Sequence, residues 1–157
     1  MNWGIFFKIW LVKLAFIKYW RLPTALVYAQ AKHETGNFTS NIYKENRNLF
    51  GMKKPHKRAT TVKGEARGHA TYSSSWTSIY DYFLRQQYFH IGYLTSSQYI
   101  ERTKQSNYAE DIHYDKHWQV HYDALGVFAR IIPYIIFPAV VLIALYFFRR
   151  DLLRDIF

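Results

Sequence analysis

Glu34 closes an apolar run, residues 25–31 having Ala25, Leu26, Val27, Ala29 and Ala31, and stands just before Gly36. The pattern reads as a carboxylate at a helix end beside a glycine turn. A carboxyl group so placed can lose its water, and desolvation raises its pKa toward the range of a general acid. The bland alternative is a carboxylate that solvates or caps the helix end. A second cluster is His113, His117 and His121, which recur every four residues and so share a slowly drifting helical face near Asp115. Two such histidines can bind zinc. The His-Glu-x-x-His spacing of a metalloprotease is absent, and a wet or interfacial helix face is the favoured reading; no metal and no cofactor is expected.

These groups need elements to hold them. Leu22-Pro23-Thr24 reads as a break followed by a helix start. Lys53 to Arg58 is a basic turn, and residues 60–72 place β-branched side chains around Gly64 and Gly68 in the manner of a hairpin. Ser73 to Ser75 opens another helix through Trp76, Ile79, Tyr80 and Phe83, and Thr95 to Gln98 opens a third. Trp76 could stack on a sugar, although a tryptophan on an apolar helical face more often packs in a core.

Composition bounds the partners. The chain has 157 residues, room for one compact domain and an appended segment. Aromatics form 20% of it, which suits a sugar-stacking groove or a membrane interface. The absence of cysteine rules out disulfides and thiolate metal sites. Basic residues exceed acidic ones by 21 − 11 = 10, which favours anionic partners such as phospholipid surfaces, wall polymers or nucleic acid. The basic residues are scattered, so no nucleic-acid role is expected.

Four stretches, in order, resemble the glucosaminidase family of peptidoglycan hydrolases, glycoside hydrolase family 73. Gln30, Ala31, Glu34, Thr35 and Gly36 match its Gln-Ala-x-x-Glu-[Ser/Thr]-Gly core. Asn48, Leu49, Phe50, Gly51 and Lys53 follow its Asn-Leu-Phe-Gly-x-Lys pattern. Tyr72, Ser73, Ser78, Ile79, Asp81 and Tyr82 resemble a later region ending in Ser-Ile-x-Asp-Tyr, and Tyr108, Ala109, Asp111 and Tyr114 resemble the closing Tyr-Ala-Thr-Asp-x-x-Tyr motif.

The resemblance implies an α+β, mainly α, lysozyme-like domain with a small β-hairpin lobe. It implies cleavage of the β-1,4 bond after N-acetylglucosamine, with peptidoglycan glycan strands as partner. Glu34 maps onto the catalytic acid, which protonates the leaving glycosidic oxygen. Glu65 lies 65 − 34 = 31 residues on, about where the family offers another acidic residue, and as a second catalytic group it would activate water from the opposite face. Substrate assistance by the N-acetyl group is the other mechanism, and a solvated hairpin charge the plain reading of Glu65. Tyr108 and Tyr114 resemble groove-lining tyrosines. Asn48 and Phe50 are expected to support the acid and the groove floor, and Trp76 completes the substrate-binding set. Rival functions are a lytic transglycosylase and a non-catalytic envelope or virion membrane protein that keeps a wall-binding fold.

The two ends of the chain frame this domain. Residues 131–148 carry no charge and cover most of a ~30 Å hydrocarbon core, with Arg149, Arg150 and Arg154 beyond them. The expected layout is an apolar basic helix at 1–20, interfacial or packed on the domain, with Trp3, Trp10 and Trp20 partly buried. The domain follows at 21–121, then a juxtamembrane and transmembrane helix at 122–148 and a basic tail at 149–157. That layout predicts a single-pass C-terminal anchor in a lipid membrane, in a bacterial envelope or the internal membrane of a virion, with other envelope or capsid proteins nearby.

Overall fold

The structure, a computed structural model, describes residues 1–93, 95–109 and 111–135. Residues 1–125 form one unit, and residues 126–135, helical throughout, begin a second.

Helix α1 (Trp3–Leu14) opens the first unit, capped by Asn2, whose side chain accepts from the Ile5 amide at 3.2 Å. Helix α2 (Thr24–Glu34) starts after Pro23, as Leu22-Pro23-Thr24 indicated. Residues 24 to 31 of α2 are all buried, the signature of a helix surrounded by protein rather than lying on a surface. Helix α1 covers one side of it through Phe6, whose ring meets Tyr28 edge-on at 5.7 Å. The N-terminal helix is therefore packed on the domain. Trp10 is half-buried, whereas Trp3 and Trp20 are exposed. Lys13 is drawn into the same interface. Its ammonium donates to the Leu22 carbonyl at 2.7 Å, and burial lowers its pKa to about 8.

Beyond α2 come the short helix α3 (Asn41–Asn46) and the two-stranded lobe, β1 (Gly64–Ala66) antiparallel to β2 (His69–Thr71), with Glu65 opposite Ala70. Helix α4 (Ser75–Tyr88) begins in a capping box: Ser74 Oγ accepts from the Thr77 amide and Thr77 Oγ1 accepts from the Ser74 amide. Helix α5 (Ser96–Thr103) starts at Thr95, whose hydroxyl accepts from the Gln98 amide, and both starts agree with the sequence. Tyr82 of α4 and Tyr99 of α5 share a buried hydrogen bond at 2.9 Å, to which Gln86 adds its amide. Helix α6 (Tyr114–Asp123) returns across α2, where buried Trp118 donates to the Leu26 carbonyl at 2.8 Å. The result is a mainly helical α+β domain with a small β lobe.

The transmembrane element of the expected fold is corrected. No helix among the described residues is long and apolar enough to cross a membrane. The chain that was to run as one helix through 122–148 instead ends α6 at Asp123, turns at Ala124 and Leu125, and passes Gly126 at φ +70°. Residues 136–157, including the rest of the expected span and the basic tail, lie outside the described residues. The membrane localisation drawn from that span is withdrawn with it.

Candidate active site

Glu34 is the last residue of α2, and the chain leaves it through three successive left-handed residues, Gly36, Asn37 and Phe38. Thr35 braces this turn: its hydroxyl donates to the Ala31 carbonyl at 2.6 Å and accepts from the Phe38 amide at 2.9 Å. Phe38 pays for its unusual backbone by packing its ring on Tyr28 and Tyr43. The turn removes the chain from the helix axis and leaves the Glu34 side chain facing a cleft of about 740 Å³.

The opposite lip is the turn at residues 48–52. Asn48 shapes it with a single side chain, accepting from the Phe50 and Met52 amides and donating to the Met52 and Ala70 carbonyls. The turn is thereby stitched to β2. Gly51 takes φ +60°, and a Cβ there would stand 2.8 Å from Glu34 Oε2. Both its backbone and its missing side chain are required. Phe50 is buried and stacks on Tyr82 with centroids 4.2 Å apart, so it is floor beneath the acid rather than an exposed stacking surface.

Two tyrosines come from the other end of the unit. Tyr114 donates to Glu34 Oε1 at 2.6 Å and accepts from the Gln30 amide at 2.8 Å. Tyr108 donates to the Phe50 carbonyl at 2.6 Å, its ring 5.7 Å from that of Tyr114. Residues 104–108 widen into a π turn with Asn107 left-handed, and this reversal swings Tyr108 into the cleft. Arg85 secures the reversal by donating to the carbonyl and hydroxyl of Ser106, and its guanidinium lies over the Tyr108 ring at 4.5 Å.

Burial dominates the electrostatics of Glu34 and raises its pKa from 4.5 to about 7, although the Tyr114 hydrogen bond pulls the other way. A carboxyl in this condition keeps its proton up to neutral pH and can hand it to a leaving oxygen.

Glu34, Phe50, Tyr108 and Tyr114 thus meet in one cleft, with Asn48 behind its lip. Glu65 and Trp76 do not join them. Glu65 is exposed on β1 and does not line the cleft. Trp76 is 42% exposed on α4 with the Lys8 ammonium over its ring, also away from the cleft. Among the described residues the carboxylate that does line the cleft with Glu34 is Asp111, held below the usual range by the His113 amide and by His117.

Arg85, His33 and the basic turn at 53–58 line the cleft without having been given a role from the sequence. His33 of α2 sits between His117 and His121 of α6, with ring centroids at 5.7 and 5.5 Å. Burial, then His121 and His117, lowers its pKa. Among the described residues no group of three His, Asp or Glu side chains could hold a metal ion. The four-residue spacing revealed a helical face, but its partner across the helix interface had no local signal.

A proton-bearing carboxyl in a cleft of a mainly helical domain with a small β lobe is the arrangement of an acid-assisted glycoside hydrolase. The glucosaminidase family model, described as mannosyl-glycoprotein endo-beta-N-acetylglucosaminidase, matches residues 15–126, and the chain belongs to this family. It is also similar to Protein bax of Escherichia coli (strain K12), at 38% identity over 61 residues. That match spans 39% of this chain and 22% of the relative, about a fifth of the relative's length. No solved structure matches.

Proposed function

We propose that this protein hydrolyses the β-1,4 bond after N-acetylglucosamine in peptidoglycan, with Glu34 as the general acid. The observation that carries the reading is the Glu34 carboxyl, poised at about 7 and facing the cleft under a Tyr114 hydrogen bond. In the first step Glu34 protonates the leaving oxygen as positive charge builds on the sugar ring. Tyr114 then stabilises the carboxylate it leaves behind, because a donor to the charged form favours that form. Tyr108 and Phe50 hold the floor against which the sugar is positioned.

The family supports a glycoside hydrolase, and the reading narrows this to an endo-acting glucosaminidase. Glu65 does not line the cleft and so does not share its work. This leaves the second role to Asp111, activating water, or to the N-acetyl group of the substrate, whose carbonyl oxygen attacks the anomeric carbon as the leaving oxygen departs. Purified cell walls provide the test. Wild-type protein should release soluble fragments with reducing N-acetylglucosamine ends, and Glu34→Gln should release none while staying folded. Anhydro-muramyl ends would instead identify a lytic transglycosylase. Wall binding without fragments would identify a non-catalytic wall-binding protein.

A further inference from the structure

One wall of the cleft is far more basic than proton transfer requires. Lys53, Lys54, Lys57, Arg58 and Arg85 all line it, and among the described residues the acidic groups lining it are Glu34 and Asp111. Arg58 is already spent, since its guanidinium grips buried Asp81 through two hydrogen bonds of 2.8 Å. Arg85 is buried and engaged by Gln86 and Ser106, with no carboxylate partner among the described residues. Lys53, Lys54 and Lys57 are exposed, and none forms an ion pair among the described residues.

The segment that carries these lysines is not a loose tail of charge. At its start the Met52 carbonyl accepts from Asn48 and Met52 lies buried beside β2. At its end Arg58 is clamped to Asp81, which also accepts from Thr60, the Thr61 amide and Tyr72. Pro55 stiffens the middle. Both anchors are buried and fix the two ends of the segment, and the three lysines between them are exposed along the cleft. A low-dielectric floor of Phe50, Met52 and Tyr108 beneath them strengthens their field.

A neutral glycan gains nothing from such a wall, and an amino sugar chain bearing cations would be repelled by it. The ligand that fits is a glycan with carboxylates on its branches. We propose that Lys53, Lys54 and Lys57 form an anion subsite that binds the carboxylates of the peptide branches on the glycan strand. The subsite makes the cleft selective for strands whose peptide branches keep free carboxylates over strands in which these are amidated. This rests on the reading of the cleft as a peptidoglycan site and adds to it the feature of the substrate that is recognised.

Binding is measured with the Glu34→Gln protein, so that turnover does not intrude, to two soluble peptide-bearing disaccharide fragments. One keeps its carboxylates, and in the other they are converted to amides. At ~20 mM salt the free-carboxylate fragment should bind about tenfold more tightly, a preference that shrinks at ~300 mM salt. Adding Lys53→Gln, Lys54→Gln and Lys57→Gln together should abolish the preference. These side chains are exposed, and an unchanged Tm verifies that the triple variant is folded. Equal binding of the two fragments, or a preference that survives the triple substitution, overturns the subsite and leaves the cleft's assignment standing. Binding of neither fragment overturns both.

Discussion

Tyr114 donates its phenolic hydrogen to Glu34 across 2.6 Å, joining two residues 80 positions apart in the chain. The bond opposes the larger effect at this site. Burial holds the Glu34 proton on, and Tyr114 makes it easier to remove. Gln30 donates to the same phenol oxygen, which fixes the direction in which the hydroxyl points. An acid must both keep its proton at working pH and survive its loss, and the pair supplies these opposing demands.

Tyr114→Phe should therefore raise the pKa of Glu34 further. The alkaline limb of the kcat/KM profile moves to higher pH, because the free enzyme stays protonated longer. The maximum rate falls by about ten- to a hundredfold, since the carboxylate formed in the step loses its donor and the acid its orientation. An alkaline limb that moves downward would show that Tyr114 does not act on Glu34 as the geometry indicates.

Glu34 also taxes stability. Its folded pKa of about 7 exceeds the ordinary 4.5, so the folded state binds more protons between those values. Stability consequently falls as pH rises from about 4.5 through about 7, and the full cost remains above that range. Glu34→Gln removes a charge that folding must bury. The variant should match wild type near pH 4 and gain up to about 3 kcal/mol by pH 8. Thermal unfolding of both proteins across that range checks it, and a difference that does not grow with pH refutes the burial argument.

Gly51→Ala should damage both fold and chemistry. Its Cβ would lie 2.8 Å from Glu34 Oε2, and φ +60° is a backbone that alanine resists. We expect a loss of roughly 1–2 kcal/mol in stability, and activity reduced well beyond what that loss explains. Denaturant unfolding and wall clearing, measured on the same preparation, separate the two. An alanine variant with wild-type activity would mean that the lip at 48–52 does not crowd the acid.

Much of this site was readable in the sequence because its parts are local. The Pro23–Thr24 boundary, the hairpin, and the caps at Ser74 and Thr95 each depend on a few adjacent residues. The acid, its glycine lip and its two tyrosines lay in ordered motifs. What escaped was long-range. Arg85 reaches Ser106 over 21 residues, and His33 meets α6 from α2, neither with a local signature. Glu65 illustrates the opposite failure, for its place in the hairpin was correct but the hairpin faces it to solvent. Trp76 was placed on its helix correctly, yet it is partly exposed and away from the cleft. The apolar run at 131–148 was read as a membrane span from its length and lack of charge, and no helix among the described residues is long and apolar enough to cross a membrane. Glu65→Gln and Trp76→Ala should accordingly each retain wall clearing within about twofold, the range of ordinary surface substitutions. A hundredfold loss in either would return that residue to the site.

The Arg58–Asp81 pair links the stability of the domain to the shape of the cleft. Asp81 is fully buried; burial would raise its pKa, but Arg58 and Thr60 hold it below the usual carboxylate range. A lowered carboxyl contributes stability above its unfolded pKa of about 3.8, and that stability is lost as pH falls through the folded value. Arg58→Met removes the partner and leaves a buried charge, at a cost of roughly 3–5 kcal/mol near neutral pH. The pH dependence then reverses, because the stranded Asp81 is relieved by protonation, and the variant should gain on wild type as the solution is acidified. Adding Asp81→Leu to Arg58→Met removes the stranded charge and should recover most of the loss. The same clamp ends the basic segment, so at a temperature where Arg58→Met remains folded, KM should rise while the alkaline limb set by Glu34 stays in place. A shifted limb with an unchanged KM would place the clamp's influence on the acid rather than on the wall of the cleft.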